Sequence, residues 1–313
     1  MAEKKLISIV TPCYNEELNV NAIYNAVKSV FHQLPQYQYE HIFIDNHSKD
    51  NSVALLRKIC EVDKNVKLIL NSRNFGWIRS PYHALLQSSG DATILIVADL
   101  QDPPEMIIQF LQKWEDGFKV VIGVKTQAEE SRLMYMVRSS FYSIVNRLSD
   151  TELIKNYTGF GLYDKAVVNI LKTIDDPYPY LRGLISDIGF DIHRIPYNQP
   201  TRKRGLTSSN FYSLYDVGML GITNHSKVPL RIATFIGFSM SIMSLFIAFI
   251  YFIYKLVRWD WFSAGQAPLV IGLFFFSSVQ LFFIGIVGEY IGSIHTQVLK
   301  RPLVIEKERV NFD

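Results

Sequence analysis

Cysteine is scarce in this 313-residue chain. Cys13 and Cys60 lie far apart and show no metal-type spacing. They read as reduced thiols of a cytosolic domain, with a single disulfide left open. Excess charge is missing too: a net +3 is too small to argue for nucleic acid as a partner. Neither the dinucleotide glycine fingerprint nor the P-loop pattern occurs, so a phosphate-bearing ligand would have to be met by a metal or by cationic side chains. Internal repeats and low-complexity tracts are absent. Residues 1–5 are charged, but the apolar run behind them is only a strand's length, so no cleavable signal peptide is expected.

Charge is also missing from two long stretches, residues 232–254 and 263–288. A bilayer-spanning helix needs about 20 mostly apolar residues, whereas a soluble helix of that length carries charges on one face. The expected spans are about 232–254 and 266–289. Six basic residues flank the pair on the outside (Lys227, Arg231, Lys300, Arg301, Lys307, Arg309), against Lys255 and Arg258 in the connector. The positive-inside rule then places both ends of the chain in the cytoplasm. Trp259 and Trp261 suit the interfacial belt. Glu289, at the end of the second stretch, reads as a residue that snorkels or pairs with a nearby cation.

The length prior of roughly 150 residues per domain leaves room for a large domain before the hairpin. Short apolar, β-branched runs at 6–11, 41–44, 66–70 and 92–98 read as buried strands, with helical patterns between them. Asn15 opens a helical pattern with Glu16 and Glu17 in its first turn, and residues 48–50 look like a second helix start. Strand and helix alternate to about residue 125, which predicts an α/β fold with a mostly parallel sheet covered on both faces. Beyond that, 132–147 reads as a helix, 156–163 and 188–195 as strands, 198–209 as a basic loop, and 211–222 as an interfacial helix or an ordinary soluble one. The expected organisation is a cytosolic domain at 1–208, a juxtamembrane helix at 209–228, the hairpin at 229–295 and a cytosolic tail at 296–313.

Ligands of parallel α/β sheets bind at the carboxyl ends of the strands. Four polar clusters fall there: residues 11–16, 45–48, 71–76 and 99–102. Caps and turns also favour Asp, Asn and Ser, but four successive clusters predict a shared site. Asp99 and Gln101 offer the hard oxygens that Mg²⁺ or Mn²⁺ prefers. Arg73, or Arg202, Lys203 and Arg204 in the basic loop, could pair with phosphate.

The stretches "TPCYNEE", "IDNHSKDNS", "NSRNFG", "ADLQDPPE" and the final "GIVGEYIG" with "KRP" together resemble the family 2 glycosyltransferases of GT-A fold. More narrowly the chain is similar to polyprenyl-phosphate glycosyltransferases, bacterial relatives of dolichol-phosphate mannose synthase. The likeness covers nearly the whole chain. It implies a GT-A, Rossmann-like domain followed by a two-helix transmembrane hairpin, at the inner (plasma) membrane. It implies a nucleotide-sugar donor and a polyprenyl-phosphate acceptor, with Pro12, Tyr14, Glu16 and Asp45 lining the nucleotide pocket. Arg73 and Ala98 join that nucleotide set. Asp99 and Gln101 would bind Mg²⁺ or Mn²⁺, Asp102 would act near the sugar or orient the metal loop, and Arg202 and Arg204 would meet phosphates. A homo-oligomer (a tetramer in the resemblance) and a flippase partner are implied as well.

The chain departs from that pattern in several places. Val97 stands where the first acid of the Asp-x-Asp motif is usual, and Asn46-His47 where Asp-Gly is usual. Trp77 replaces a frequent lysine, and Phe160 to Leu162 lack the usual acid and arginine. The expected activity is inverting transfer of one sugar to polyprenyl phosphate. Transfer to a glycan or glycolipid hydroxyl, and an inactive membrane scaffold, are the alternatives.

Overall fold

The computed structural model describes residues 4–126, 154, 156–200, 219, 228–257 and 266–312. The expected helix at 132–147, the interfacial helix at 211–222 apart from Met219, and the basic loop with Arg202 and Arg204 lie outside the described residues.

Strands β1 (Leu6–Cys13), β2 (Gln38–Asp45), β3 (Val66–Asn71) and β4 (Ala92–Leu95) run parallel, in the order β4-β1-β2-β3. They alternate with helices α1 (Val20–His32), α2 (Ser52–Val62) and α3 (Gly76–Leu86). Both faces of these strands are apolar, as burial between two helix layers requires. Ile7, Ile9 and Phe43 pack with Val20, Ile23 and Leu56 on one side. Val10, Ile42 and Ile44 pack with Tyr82, Ala84 and Leu85 on the other. The period of two along each strand creates this division.

Helix α4 (Met106–Glu115) then leads to β5 (Val120–Lys125). Strand β6 (Tyr157–Asp164) inserts antiparallel between β4 and β5. Helices α5 (Lys165–Thr173) and α6 (Leu181–Asp187) follow, and β7 (Ile192–Tyr197) pairs parallel with β5. Among the described residues, four of the seven pairings in the eight-stranded sheet are parallel, which bears out the mostly parallel expectation.

Four local expectations need correction. No helix opens at Asn15; α1 begins at Val20 and Asn15 is left-handed, φ 55°. The backbone N–H groups of Glu16 and Glu17 donate to Ser52 Oγ (2.8 Å) and Asp50 Oδ2 (3.1 Å), so the acids belong to a loop clasped by the next one. Helix α2 likewise starts at Ser52 rather than at 48–50, because those residues form the clasp. Strand β4 ends at Leu95, although the apolar run continues to Ala98 and Ile96 still donates to Val10 O (3.0 Å). The expected strand at 188–195 is the end of α6, a left-handed Gly189 (φ 77°), and β7 from Ile192 onward.

Two long helices come last, α7 (Val228–Val257) and α8 (Gln266–Val298). Both exceed the spans expected from charge alone. Among the described residues, Phe275–Val298 is long and apolar enough to cross a bilayer, and Val228–Ser244 is a shorter apolar stretch. Their outward side chains include Phe235, Phe238, Leu269, Leu281 and Phe282, each more than 60% exposed. That is more contiguous apolar surface than a soluble monomer shows to water.

The tail returns to the sheet. After α8, β8 (Glu306–Val310) pairs antiparallel with β3 and covers its edge. Glu308 forms a bidentate pair with Arg57 (2.6 and 2.7 Å), Glu306 meets His83 (2.5 Å), and Asn311 donates to Cys60 O and Val66 O (2.8 Å each). Deleting residues 306–313 should therefore expose the β3 edge. The expected outcome is a lower thermal midpoint and aggregation on purification, while Lys307→Ala leaves both unchanged.

Candidate active site

The parallel register brings the strand ends to one level: Cys13 lies opposite Asp45, Asp45 opposite Leu70, and Val10 opposite Leu95. Above them opens a cavity of about 570 Å³, the size of a small-molecule site. Pro12, Tyr14, Glu16, Ala98, Asp99 and Asp102, all expected in the site, line it. Asp45, Arg73 and Gln101 are not on its wall.

Asp45 is buried directly beneath. It accepts from the Ser48 N–H (2.9 Å) and the Ser48 hydroxyl. Burial pushes its pKa up, and the Ser48 and His47 hydrogen bonds pull it back. Asn46 follows as a hub between loops. Its amide donates to Asn74 Oδ1 (2.9 Å) and Gly76 O (3.1 Å), and its oxygen accepts from the Phe75 N–H (2.8 Å) and from Asn71 (3.2 Å). This network fixes the start of α3, which carries Trp77, 54% exposed, onto the cavity wall.

The turn after β4 carries the acids. Leu100 is left-handed (φ 59°) and packs its side chain toward the α4 side of the core. Asp99 Oδ1 accepts the Gln101 N–H (3.1 Å), leaving the Asp99 carboxylate half-exposed on the cavity wall. Asp102 is buried, with its Oδ1 accepting from the Tyr197 hydroxyl (2.7 Å) and its carboxylate also bonded by the Val97 N–H. Burial raises its pKa to about 6; Tyr197 and Lys125 lower it and Asp99 adds to the rise. Tyr197 reaches this point because Gly123 leaves room: a Cβ there would sit 2.7 Å from the Phe160 ring and 3.1 Å from the Tyr197 ring.

Three non-glycine residues in the left-handed region, Asn15, His47 and Leu100, sit one in each loop after β1, β2 and β4. Such conformations cost energy and cluster at functional sites. His47 stands where the family pattern has glycine, the residue that would adopt φ 67° freely. Cys13 lines the wall, but burial, with Asp45, Glu16 and Asp50 nearby, pushes its pKa well up and removes it as a nucleophile.

Sequence reasoning missed Arg182 and Tyr197. Arg182, from the start of α6, is the one basic side chain among the described wall residues. Neither residue lies in a polar cluster at the end of β1 to β4, and only the fold brings them there. Arg73 departs from expectation: its guanidinium stacks on Phe75 (4.1 Å to the ring centroid), outside the cavity lining.

Comparison with known proteins places this geometry in a class. Residues 8–171 match the model for glycosyl transferase family 2, and residues 228–294 match the GtrB C-terminal hairpin. The uncharacterized glycosyltransferase YkcC of Bacillus subtilis is 34% identical over 98% of this chain and 94% of its own. The SfII prophage-derived bactoprenol glucosyl transferase of Shigella flexneri is 32% identical over 96% of this chain and 97% of its own. A solved glucosyl-3-phosphoglycerate synthase from Mycobacterium tuberculosis, in complex with Mn²⁺ and UDP, superposes with TM-score 0.49 at 16% identity, over 70% of this chain and 76% of that one. The chain belongs to glycosyl transferase family 2. It is a glycosyltransferase of GT-A fold, and its C-terminal hairpin associates it with the membrane.

The hydroxyl of Tyr197 favours the charged form of Asp102. Tyr197→Phe should therefore move the acid limb of the pH–rate profile upward from about 6, by roughly half a unit to one unit for a hydrogen bond worth about 1 kcal/mol. An unmoved limb would dissociate Asp102 from the pH dependence.

Proposed function

We propose that this enzyme transfers a single sugar, glucose in the first instance, from a nucleotide diphosphate donor to the phosphate of a polyprenyl lipid, with inversion. The observation that carries the reading is the acid-bearing turn after β4, open to a ligand-sized cavity in a chain that also carries a membrane hairpin. Support for the acceptor comes from the relatives named as bactoprenol glucosyl transferases.

A lipid phosphate is already anionic near neutral pH and needs no strong base. Its attack requires relief from repulsion by the donor's diphosphate. Among the described residues no group of three or more His, Cys, Asp or Glu could hold a metal. The donor set nevertheless fits Mg²⁺ or Mn²⁺, since Asp99 is a hard, half-exposed carboxylate and such ions take one or two carboxylates plus phosphate oxygens and water. Asp99 would hold the ion, which when bound would neutralise the diphosphate; Gln101, expected to aid it, lies off the cavity wall. Asp102 positions the turn, since Tyr197 and the Val97 N–H already engage it. Arg182 meets phosphate from the wall, joined by Arg202 and Arg204. Pro12, Tyr14 and Glu16 line the nucleotide side, with Asp45 beneath them.

Both α7 and α8 span the inner membrane in this reading. The basic flanks of the hairpin put the catalytic domain in the cytoplasm. A homo-oligomer, and a flippase that moves the glycosylated lipid outward, belong to the same reading.

The test mixes purified enzyme, Mn²⁺ or Mg²⁺, undecaprenyl phosphate and radiolabelled nucleotide sugars, then counts the lipid phase. Label from UDP-glucose should enter the lipid; no lipid label from any common donor would sink the reading. Asp99→Ala should reduce transfer by at least about 100-fold, equivalent to about 2.7 kcal/mol of barrier. Val97→Asp should restore an acid beside Asp99 and lower the Mn²⁺ concentration for half-maximal rate.

A further inference from the structure

Outside the cavity, on the outer side of α3, three arginines come together. The guanidinium carbons of Arg73 and Arg79 lie 4.1 and 5.3 Å from the centroid of the same Phe75 ring. Arg301, three residues beyond α8, adjoins Pro302, whose carbonyl Arg79 holds; burial first, then the charges of Arg73 and Arg301, lower the pKa of Arg79 against the opposing effect of Tyr178. Arg79 is half-buried; one nitrogen donates to Pro302 O, while its buried Nε has no partner. A desolvated guanidinium is ordinarily matched by an anion. Among the described residues none is matched here.

The surrounding carboxylates are engaged elsewhere. Asp175 pairs with Lys300 (3.0 Å), and Asp176 accepts from Gln297 (2.8 Å). Glu306 holds His83 and Arg309, and Glu308 holds Arg57. The aromatic face of Phe75 attracts the two cations but leaves their charge in place. Among the described residues the cluster therefore lacks a counter-ion. Its position indicates where one comes from. The apolar stretch Phe275–Val298 ends just before Lys300 and Arg301, so the arginines lie at the level where a spanning helix leaves the hydrocarbon. Guanidinium forks match phosphate oxygens in pairs.

We propose that Arg73, Arg79 and Arg301 form a binding site for the phosphate of an anionic membrane phospholipid, outside the catalytic cavity. The site clamps the junction between α8 and the sheet, because Arg79 also holds Pro302 and Arg301 belongs to the same connecting segment. The proposal rests on α8 spanning the bilayer and not on which sugar is transferred.

The test uses the full chain in a neutral detergent and reads thermal midpoints. It is titrated separately with phosphatidylglycerol, phosphatidylcholine and inorganic phosphate. Phosphatidylglycerol should raise the midpoint in a saturable way, and the other two should not. The triple variant Arg73→Gln/Arg79→Gln/Arg301→Gln should weaken the phosphatidylglycerol effect by roughly 100-fold in concentration, at about 1 kcal/mol per basic residue. If that variant fails to fold, Arg301→Gln, which alters an exposed side chain, should keep the lipid-free midpoint and shift the titration by roughly fivefold. An undiminished phosphatidylglycerol effect in the variants, or no effect on the parent chain, overturns the proposal. An equal rise with inorganic phosphate assigns the arginines to a free anion and overturns the lipid assignment. Glucosyl transfer is not the readout, so a failure here stands apart from a failure of the catalytic reading.

Discussion

A buried carboxylate holds the active-site turn in shape. Asp102 has left water, and it stays folded in because the Tyr197 hydroxyl and the Val97 N–H both reach it. Those two contacts tie the exit of β4 to the end of β7, across two intervening strands. The turn between them is short and strained at Leu100, where Asp99 stands on the cavity wall and Leu100 packs against the core. Without Gly123 the ring of Tyr197 would have no room to deliver its hydroxyl. Gly123 in β5 and Asp102 in the turn after β4 thus answer to the same requirement.

The cavity handles anionic ligands without a glycine-rich loop. Its described wall carries Glu16, Asp99 and Asp102 against Arg182 alone, so the wall by itself repels phosphate. A divalent ion and cations from elsewhere in the chain must reverse that sign. Val97 makes the balance less negative than the family pattern would, with one acid fewer beside Asp99. Trp77 and Val97 add apolar surface to the same wall, 54% and 37% exposed.

How much of this the sequence discloses depends on whether a residue's role is local. The parallel strands were legible because burial on both faces demands dense apolar runs, as in Ile42 to Ile44 and, with only Ser8 intervening, Ile7 to Val10. The polar strand ends were legible because such a sheet has one ligand-binding edge. Glu16 and Glu17 mislead because acids early in a helix and acids in a clasped loop look alike; the difference lies in Ser52 and Asp50, more than thirty residues away. Strand β4 stops short of its apolar run because its partner β6 ends their ladder at Gly161, opposite Leu95. Strand β8, EKERV, has no apolar run, since none of its side chains is fully buried. Arg73 looks like a phosphate ligand by type, and only the ring of Phe75 reveals its direction.

The return of β8 to the sheet also sets an order of events during synthesis. The edge of β3 is made early but closed only by residues that follow both hydrophobic helices in the chain. The nascent domain must therefore wait, with an open strand edge, until the hairpin has left the ribosome. An open edge is a template for mispairing. Residues 306–310 reach β3 only after both helices have been made, so synthesis of the hairpin and completion of the sheet become one assembly step.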